Sequence, residues 1–233
     1  MSEITNKILQ KTKLLQVFPE FTPGREEFSA FNDGGVEIEV AEFLYTLVRM
    51  IKPNYIVETG THLGISSLYM ALALEENGNG ALTTFEIIDI LRQKAVQLWA
   101  DLGISHRIQG ILQSSLEPSE TSVFAVVEPI NFLFLDSEPQ LRFNEFVKYW
   151  DLVVPGGFIA IHDLHPSVGH SGQVQHGTYD WPYGDFREKL GPYMKNLDVQ
   201  TISFPTPRGF TLFQKRAKNM LYTRYILDES LEG

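Results

Sequence analysis

Hydrophobic and polar positions along the chain follow two alternating periods, and the alternation predicts the architecture. Near the N-terminus, Ile4, Ile8, Leu9, Leu14, Leu15 and Phe18 recur at helical spacing, which predicts a short amphipathic helix. Residues 19–35 read as irregular, broken by Pro23-Gly24 and Asp33-Gly34-Gly35. A strong helix is predicted over 36–51, where Val40, Phe43, Leu44, Leu47 and Met50 fall on one face. From there, short β-rich runs at 55–59, 82–85, 107–111, 131–135 and 158–161 alternate with helical stretches. The helices are expected at 63–75, at 90–102, within 118–127 and at 140–152.

These strands are of the kind buried on both faces. Ile130-Asn131-Phe132-Leu133-Phe134-Leu135 is almost continuously apolar, as expected where helices cover both sides of a sheet. Repeated strand–helix alternation implies parallel strands with right-handed crossovers. The rhythm breaks near the end, where 199–204 and 210–215 are joined only by Pro205-Thr206-Pro207-Arg208-Gly209. That link is too short for a crossover helix, so these two strands form an antiparallel hairpin. The expected fold is α/β: a Rossmann-like, doubly wound, seven-stranded sheet, mostly parallel, with a C-terminal antiparallel hairpin strand. The expected organisation is an N-terminal extension over 1–35, the main domain over 36–216 and a tail over 217–233.

Bulk composition agrees with one domain and removes several function classes. The chain has 233 residues, 43% of them hydrophobic, including 16 Phe, enough for one sizeable core. No run approaches ~18 consecutive apolar residues, so no spanning helix and no membrane partner are expected. The N-terminal stretch lacks the apolar core of a secretory signal. The absence of cysteine excludes disulfide and thiolate chemistry and suits a reducing, cytoplasmic setting. A formal charge of −10 argues against a nucleic-acid partner. The one basic run, Lys215-Arg216-Ala217-Lys218, reads as a solvated face.

Candidate chemistry begins where the first strand of the alternation ends, in Glu58-Thr59-Gly60-Thr61-His62-Leu63-Gly64, before a helix opening at Ile65-Ser66-Ser67. Gly60 lets the backbone turn where a ligand approaches, and Gly64 lets the helix start close to the strand. The exposed N–H groups of that helix could receive a carboxylate. The dinucleotide fingerprint is absent, since His62 holds the place of its second glycine. A carboxylate at Glu58 would repel a pyrophosphate, but it suits S-adenosylmethionine (SAM), which carries an ammonium and a sulfonium. The next strand ends in Glu86, placed to accept the ribose hydroxyls of such a cofactor. Ser115, in the loop after the third strand, is a weaker candidate for the adenine end.

The stretch from Val36 to Asp163 resembles the metal-dependent O-methyltransferases of the catechol and caffeoyl-CoA type, and the related macrocin/cephalosporin-hydroxylase-like group. The resemblance is carried by Glu42-Phe43-Leu44, the Glu58–Ser66 loop, Phe85-Glu86, Ala100-Asp101-Leu102-Gly103-Ile104, Phe132-Leu133-Phe134-Leu135-Asp136 and Pro155-Gly156-Gly157-Phe158-Ile159-Ala160-Ile161-His162-Asp163. Five parallel strands closed by an antiparallel hairpin are similar to the class I methyltransferase sheet. The resemblance implies a SAM-dependent methyltransferase acting on a small-molecule acceptor, most simply at a hydroxyl oxygen. It implies SAM contacts from Glu58, Gly60, Thr61, Gly64, Ser66, Glu86, Ser115 and Asp136. It further implies a divalent metal, Mg²⁺ or another, held by Asp136, His162 and Asp163; the rival reading is that His162 is a satisfied hydrogen-bonding residue and Asp136 contacts the methionyl ammonium. A histidine in that set suits softer ions better than Mg²⁺.

One position departs from the family pattern. Pro139 stands three residues after Asp136, where the family often carries a Lys or His base, and proline takes no proton. A base would then come from Glu138, His165, another loop histidine, or a metal-lowered hydroxyl pKa. Four of the six histidines fall within residues 162–176, followed by Tyr179, Trp181 and Tyr183, a composition that suits either a substrate lid or a polar surface loop. Asp136, Asp163 and His165 are the candidate catalytic residues. A nicotinamide-dependent oxidoreductase and a non-catalytic SAM-binding protein are the rival readings, and a homodimer is an allowed assembly.

Overall fold

The computed structural model describes residues 2–19, 27–31, 35–117, 129–164, 189 and 199–216. Helix α1 (Glu3–Lys11) is followed by a two-stranded antiparallel ribbon of β1 (Val17–Pro19) and β2 (Ser29–Phe31). The expected N-terminal helix thus stops at Lys11, short of Phe18, and the ribbon runs from there into the region expected to be irregular; its three-residue strands are too short for a period to register in sequence. Helix α2 (Ile38–Ile51) then leads into the main sheet. Val40, Leu44 and Leu47 are buried as expected, but Met50 is 71% exposed. The buried stripe runs through Leu47 and Val48 to the partly buried Ile51, and Met50 falls beside it.

The main sheet contains β3 (Tyr55–Thr59), β4 (Ala81–Glu86), β5 (Ile108–Leu112), β6 (Ile130–Leu135), β7 (Val153–His162), β8 (Val199–Phe204) and β9 (Phe210–Lys215). Helices α3 (Ile65–Asn77), α4 (Asp89–Asp101) and α5 (Arg142–Trp150) connect strands among them. The strand order is β5-β4-β3-β6-β7-β9-β8. The first five strands pair in parallel, while β9 runs antiparallel to β7 and β8 antiparallel to β9. The expected fold and its closing hairpin are therefore observed. The helix expected within 118–127 lies outside the described residues.

Alternate side chains of each central strand serve opposite faces, because the strand period is two. On β6, Phe132 and Phe134 join the core under α2, α3 and α4, whereas Leu133 and Leu135 join the core under α5. Helix α3 is buried on almost every side, from Ile65 to Leu74, as a helix wedged between α2 and the sheet must be. Residues of the N-terminal region share this core, since Ile8, Leu15 and Phe31 pack with α2 and α3.

The chain winds outward from β3 through β4 to β5 and then returns to the other side of β3 as β6. That reversal opens a crevice beyond the carboxyl ends of β3, β4 and β6, where α/β sheets bind ligands.

Candidate active site

A cavity of about 730 Å³ fills the crevice, within the range of small-molecule sites. Its floor is made by three strand ends tied together through the backbone. The amides of Gly60 and Thr61 donate to the Phe85 carbonyl at 3.0 and 3.1 Å, and the Asp136 amide donates to the Thr59 carbonyl at 3.0 Å. Gly60 has φ +82°, and a Cβ there would collide with the Asp136 carbonyl. The close approach of β3 and β6 therefore requires glycine at this turn.

Six of the expected cofactor residues line the cavity: Gly60, Thr61, Ser66, Glu86, Ser115 and Asp136. Gly64 does not. It caps α3 with φ +75°, and an added Cβ would lie 2.7 Å from both Ala95 Cβ and Trp99 Nε1. Its role is to let α3 and α4 meet, and Trp99 Nε1 donates to its carbonyl at 3.1 Å. Having no side chain, it also leaves the first turn of α3 without a side-chain cap, so the helix opens toward the cavity as an anion receptor.

Glu58 is absent from the cavity wall as well. It is fully buried, and its two carboxyl oxygens accept from the hydroxyls of Ser66 and Ser67. Burial is the dominant influence and raises its pKa to about 7, against the lowering effect of those hydroxyls and of Thr84. Glu58 thus joins the end of β3 to the start of α3, and it reaches a ligand only through Ser66. The direct contact with SAM charge expected of it is not what the structure builds.

Glu86 faces the cavity. Its Oε2 accepts from the His62 amide at 2.7 Å, and its Oε1 accepts from the Ile87 and Ile88 amides at 2.9 Å each. These bonds leave a fixed carboxylate, with further lone pairs, at the edge of the site. His62 itself has φ 49°, lines the cavity, and is held below its ordinary pKa mainly by burial. Its imidazole is therefore neutral near pH 7.

The opposite end of the cavity is ionic. Asp136, His162 and Asp163 converge, with one donor atom of each within 4.8 Å of the others. Arg142, only 3% exposed, stands among them. Its Nη2 donates to Asp163 Oδ2 at 2.8 Å, to the Ser137 carbonyl at 2.6 Å and, longer, to Asp136 Oδ1 at 3.4 Å. Its Nε donates to the Ser137 carbonyl at 2.9 Å, and its Nη1 to the His162 carbonyl. The His162 ring is held at both nitrogens, Nδ1 by Asp136 Oδ1 at 2.9 Å and Nε2 by Glu37 Oε2 at 2.6 Å.

Arg208, from the turn before β9, completes the cluster. Its amide donates to Glu37 Oε1 at 3.2 Å and its Nε lies 3.8 Å from Asp163 Oδ1. Burial alone would neutralise these groups, but opposite charges outweigh it. They lift His162 to about 10, against a burial effect that lowers it, through Asp163, Asp136 and Glu37. Glu37 is held down to about 2, against a burial effect that raises it, by His162 and Arg208. Asp163 is held far below its ordinary value in the same way, by His162, Arg142 and Arg208.

Asp136 and Asp163 line the cavity; His162 is fully buried behind them, and His165 lies outside the described residues with most of the expected lid. Sequence reasoning missed Glu37, Arg142, Glu145 and Arg208. A signal existed for two of them, since Arg142, Glu145 and Tyr149 follow the buried stripe of α5 with Phe146. Charged residues at core positions of an amphipathic helix mark a buried polar network. Glu145 accepts from Thr59 Oγ1 at 3.0 Å, from Ser137 Oγ at 2.7 Å and from Ser115 Oγ, so it ties together the loops after β3, β5 and β6.

Sheet order, closing hairpin and cavity together define a class I methyltransferase fold. Comparison with known proteins agrees. A family model described as a methyltransferase domain matches residues 57–164. The O-methyltransferase TomG of Streptomyces achromogenes, solved with SAM and involved in tomaymycin synthesis, superposes with a TM-score of 0.67 at 22% identity, covering 93% of this chain and 91% of its own. An O-methyltransferase of Bacillus cereus, solved with SAH, superposes at 0.63 and 20% identity, covering 79% and 84%. Tapetum-specific methyltransferase 1 of Arabidopsis thaliana is 24% identical over 135 residues, 58% of this chain and 57% of its own. The chain likewise spans only 61% of the length of a relative from Mycobacterium sp. (strain JLS). The chain therefore has the class I methyltransferase fold, and residues 57–164 match a methyltransferase-domain family.

Proposed function

We propose that the protein transfers a methyl group from SAM to a hydroxyl oxygen of a small-molecule acceptor. The observation that carries this reading is the polarity of the cavity: Glu86 and the uncapped start of α3 at one end, Asp136 and Asp163 at the other. SAM supplies an electrophilic methyl for in-line displacement, and the protein contributes alignment and exclusion of water. Glu86 is placed to accept ribose hydroxyls, and the first turn of α3 with Ser66 to receive the methionine carboxylate. Asp136 and Asp163 orient the cationic end of the donor and the acceptor. Pro139 supplies no base. Among the described residues lining the cavity, Glu138 and the neutral imidazole of His62 can take the acceptor proton.

A metal-assisted version needs Asp136, His162 and Asp163 free to ligate. The residues present do not fit that role. The two carboxylates already share the Arg142 guanidinium, and both ring nitrogens of His162 are turned to carboxylate oxygens. No step of the proposed reaction therefore runs through a metal.

Calorimetric titration with SAM, followed by mass spectrometry of a panel of phenolic and aliphatic alcohols, tests the reading. Saturable SAM binding and a methylated product are expected. Absence of SAM binding overturns the cofactor assignment, and retained NAD would replace it with an oxidoreductase. SAM binding with no transfer to any hydroxyl overturns the acceptor assignment.

A further inference from the structure

We infer that Arg142 is a resident cation, its guanidinium occupying the place between Asp136 and Asp163 that a divalent metal would take. The inference deepens the proposed methyl transfer and rests on it for the use of this end of the cavity. Three observations carry it.

Position is the first. Arg142 is the first residue of α5, and its side chain enters the cleft between β6 and β7 to meet an oxygen of each aspartate, 2.8 Å from Asp163 Oδ2 and 3.4 Å from Asp136 Oδ1. The second is how firmly it is held. Two further oxygens, the carbonyls of Ser137 and His162, accept from the same guanidinium, so the group is fixed from four sides. An arginine stays protonated at any working pH, so this cation cannot be titrated away to free the carboxylates. The third is the orientation of His162, whose two ring nitrogens face Asp136 Oδ1 at 2.9 Å and Glu37 Oε2 at 2.6 Å, so neither points into an open position.

Two fixed cations, Arg142 and Arg208, stand among the carboxylates of Glu37, Asp136 and Asp163. A divalent cation entering this set would meet the fixed positive charge of Arg142 a few ångströms away, with one oxygen of each aspartate already turned to that guanidinium. Arg142 also lines the cavity, so its charge faces the acceptor as it approaches. It is a positioning residue: it fixes the orientation of the two aspartates at the acceptor end.

Electron paramagnetic resonance of Mn²⁺ titrated into the purified full chain reads this directly and does not depend on turnover. The wild type is expected to show no saturable Mn²⁺ site at millimolar ion, and its SAM-dependent product formation should be unchanged by EDTA. Arg142→Ala, which frees both aspartates, is expected to gain one Mn²⁺ site, and Arg142→Lys, which keeps the charge, to gain none. A stoichiometric Mn²⁺ site in the wild type that is lost in Asp136→Asn overturns the inference. So does a folded Arg142→Ala that gains no site, or an Arg142→Lys that binds Mn²⁺ as tightly as the alanine variant. Should Arg142→Ala not fold, the wild-type titration alone decides. Because Mn²⁺ binding and SAM binding are read separately, the resident cation can fail while methyl transfer stands, and the reverse.

Discussion

Two buried carboxyl groups of this protein, Glu58 and Glu37, are equally hidden from water and titrate in opposite directions. Glu58 at the cofactor end is surrounded by hydroxyls, and burial raises it to about 7. Glu37 at the acceptor end is held at about 2 because His162 and Arg208 reverse the same effect of burial. Burial makes charge expensive, and the partners decide whether the group keeps it. The end proposed for the cofactor is accordingly a backbone and hydroxyl device, while the end proposed for the acceptor is a self-neutralised ionic one.

Variants at the two ends should separate these regimes. The largest effect is expected from Arg142→Ala, which leaves two carboxylates at the acceptor end without their shared cation and should lower stability by about 3–5 kcal/mol. Denaturant unfolding measures it, and a loss under about 1 kcal/mol would mean that the network is solvated in solution. Next comes Glu86→Gln at the cofactor end, which removes the charge from the proposed ribose contact. Weakening of SAM by about tenfold or more is expected from the worth of a hydrogen bond to a charged group. Unchanged affinity by calorimetry would remove Glu86 from the donor site.

Gly64→Ala tests packing rather than charge. Its φ of +75° and the 2.7 Å approach to Ala95 and Trp99 predict a loss of about 1–3 kcal/mol in thermal or denaturant unfolding, as for other overpacked sites. Wild-type stability in this variant would mean that α3 and α4 can part without penalty.

The smallest effect, and the sharpest contrast with the ionic end, is the pH dependence at Glu58. Its folded pKa lies above the ordinary glutamate value of 4.5, so the folded state binds the proton more tightly than the unfolded one. The stability from this group is full below about pH 4.5 and is lost as pH rises toward about 7. Glu58→Gln cannot ionise, so its stability relative to wild type should rise across that window. A flat difference between the two proteins from pH 5 to 8 would show that Glu58 is ionised throughout.

Much of the fold was legible because its signals are local. The parallel alternation, the closing hairpin and the glycine turn each depend on a few neighbouring residues, and strands β3, β8 and β9 match their expected bounds. The β1–β2 ribbon was not legible, being made of strands too short to show a period. At the site, Gly60, Ser66, Glu86, Asp136 and Asp163 were readable from their places at strand and helix ends. Glu58 was readable as important but not in its role, because the sequence does not show which way a side chain at a strand end turns.

By itself, then, the sequence determined the sheet, its switch point and the loops that surround it, through periodicity and backbone permissions that act over a few residues. Tertiary structure alone decided the charge of the acceptor end. Glu37 meets His162 across 125 residues and Arg208 across 171, and Arg142 reaches Asp163 across 21. Electrostatic energy depends on distance in space and on exclusion of water, neither of which is written in the order of residues. Three residues that read in sequence as a metal triad became, once folded, part of a network that already holds its own cation.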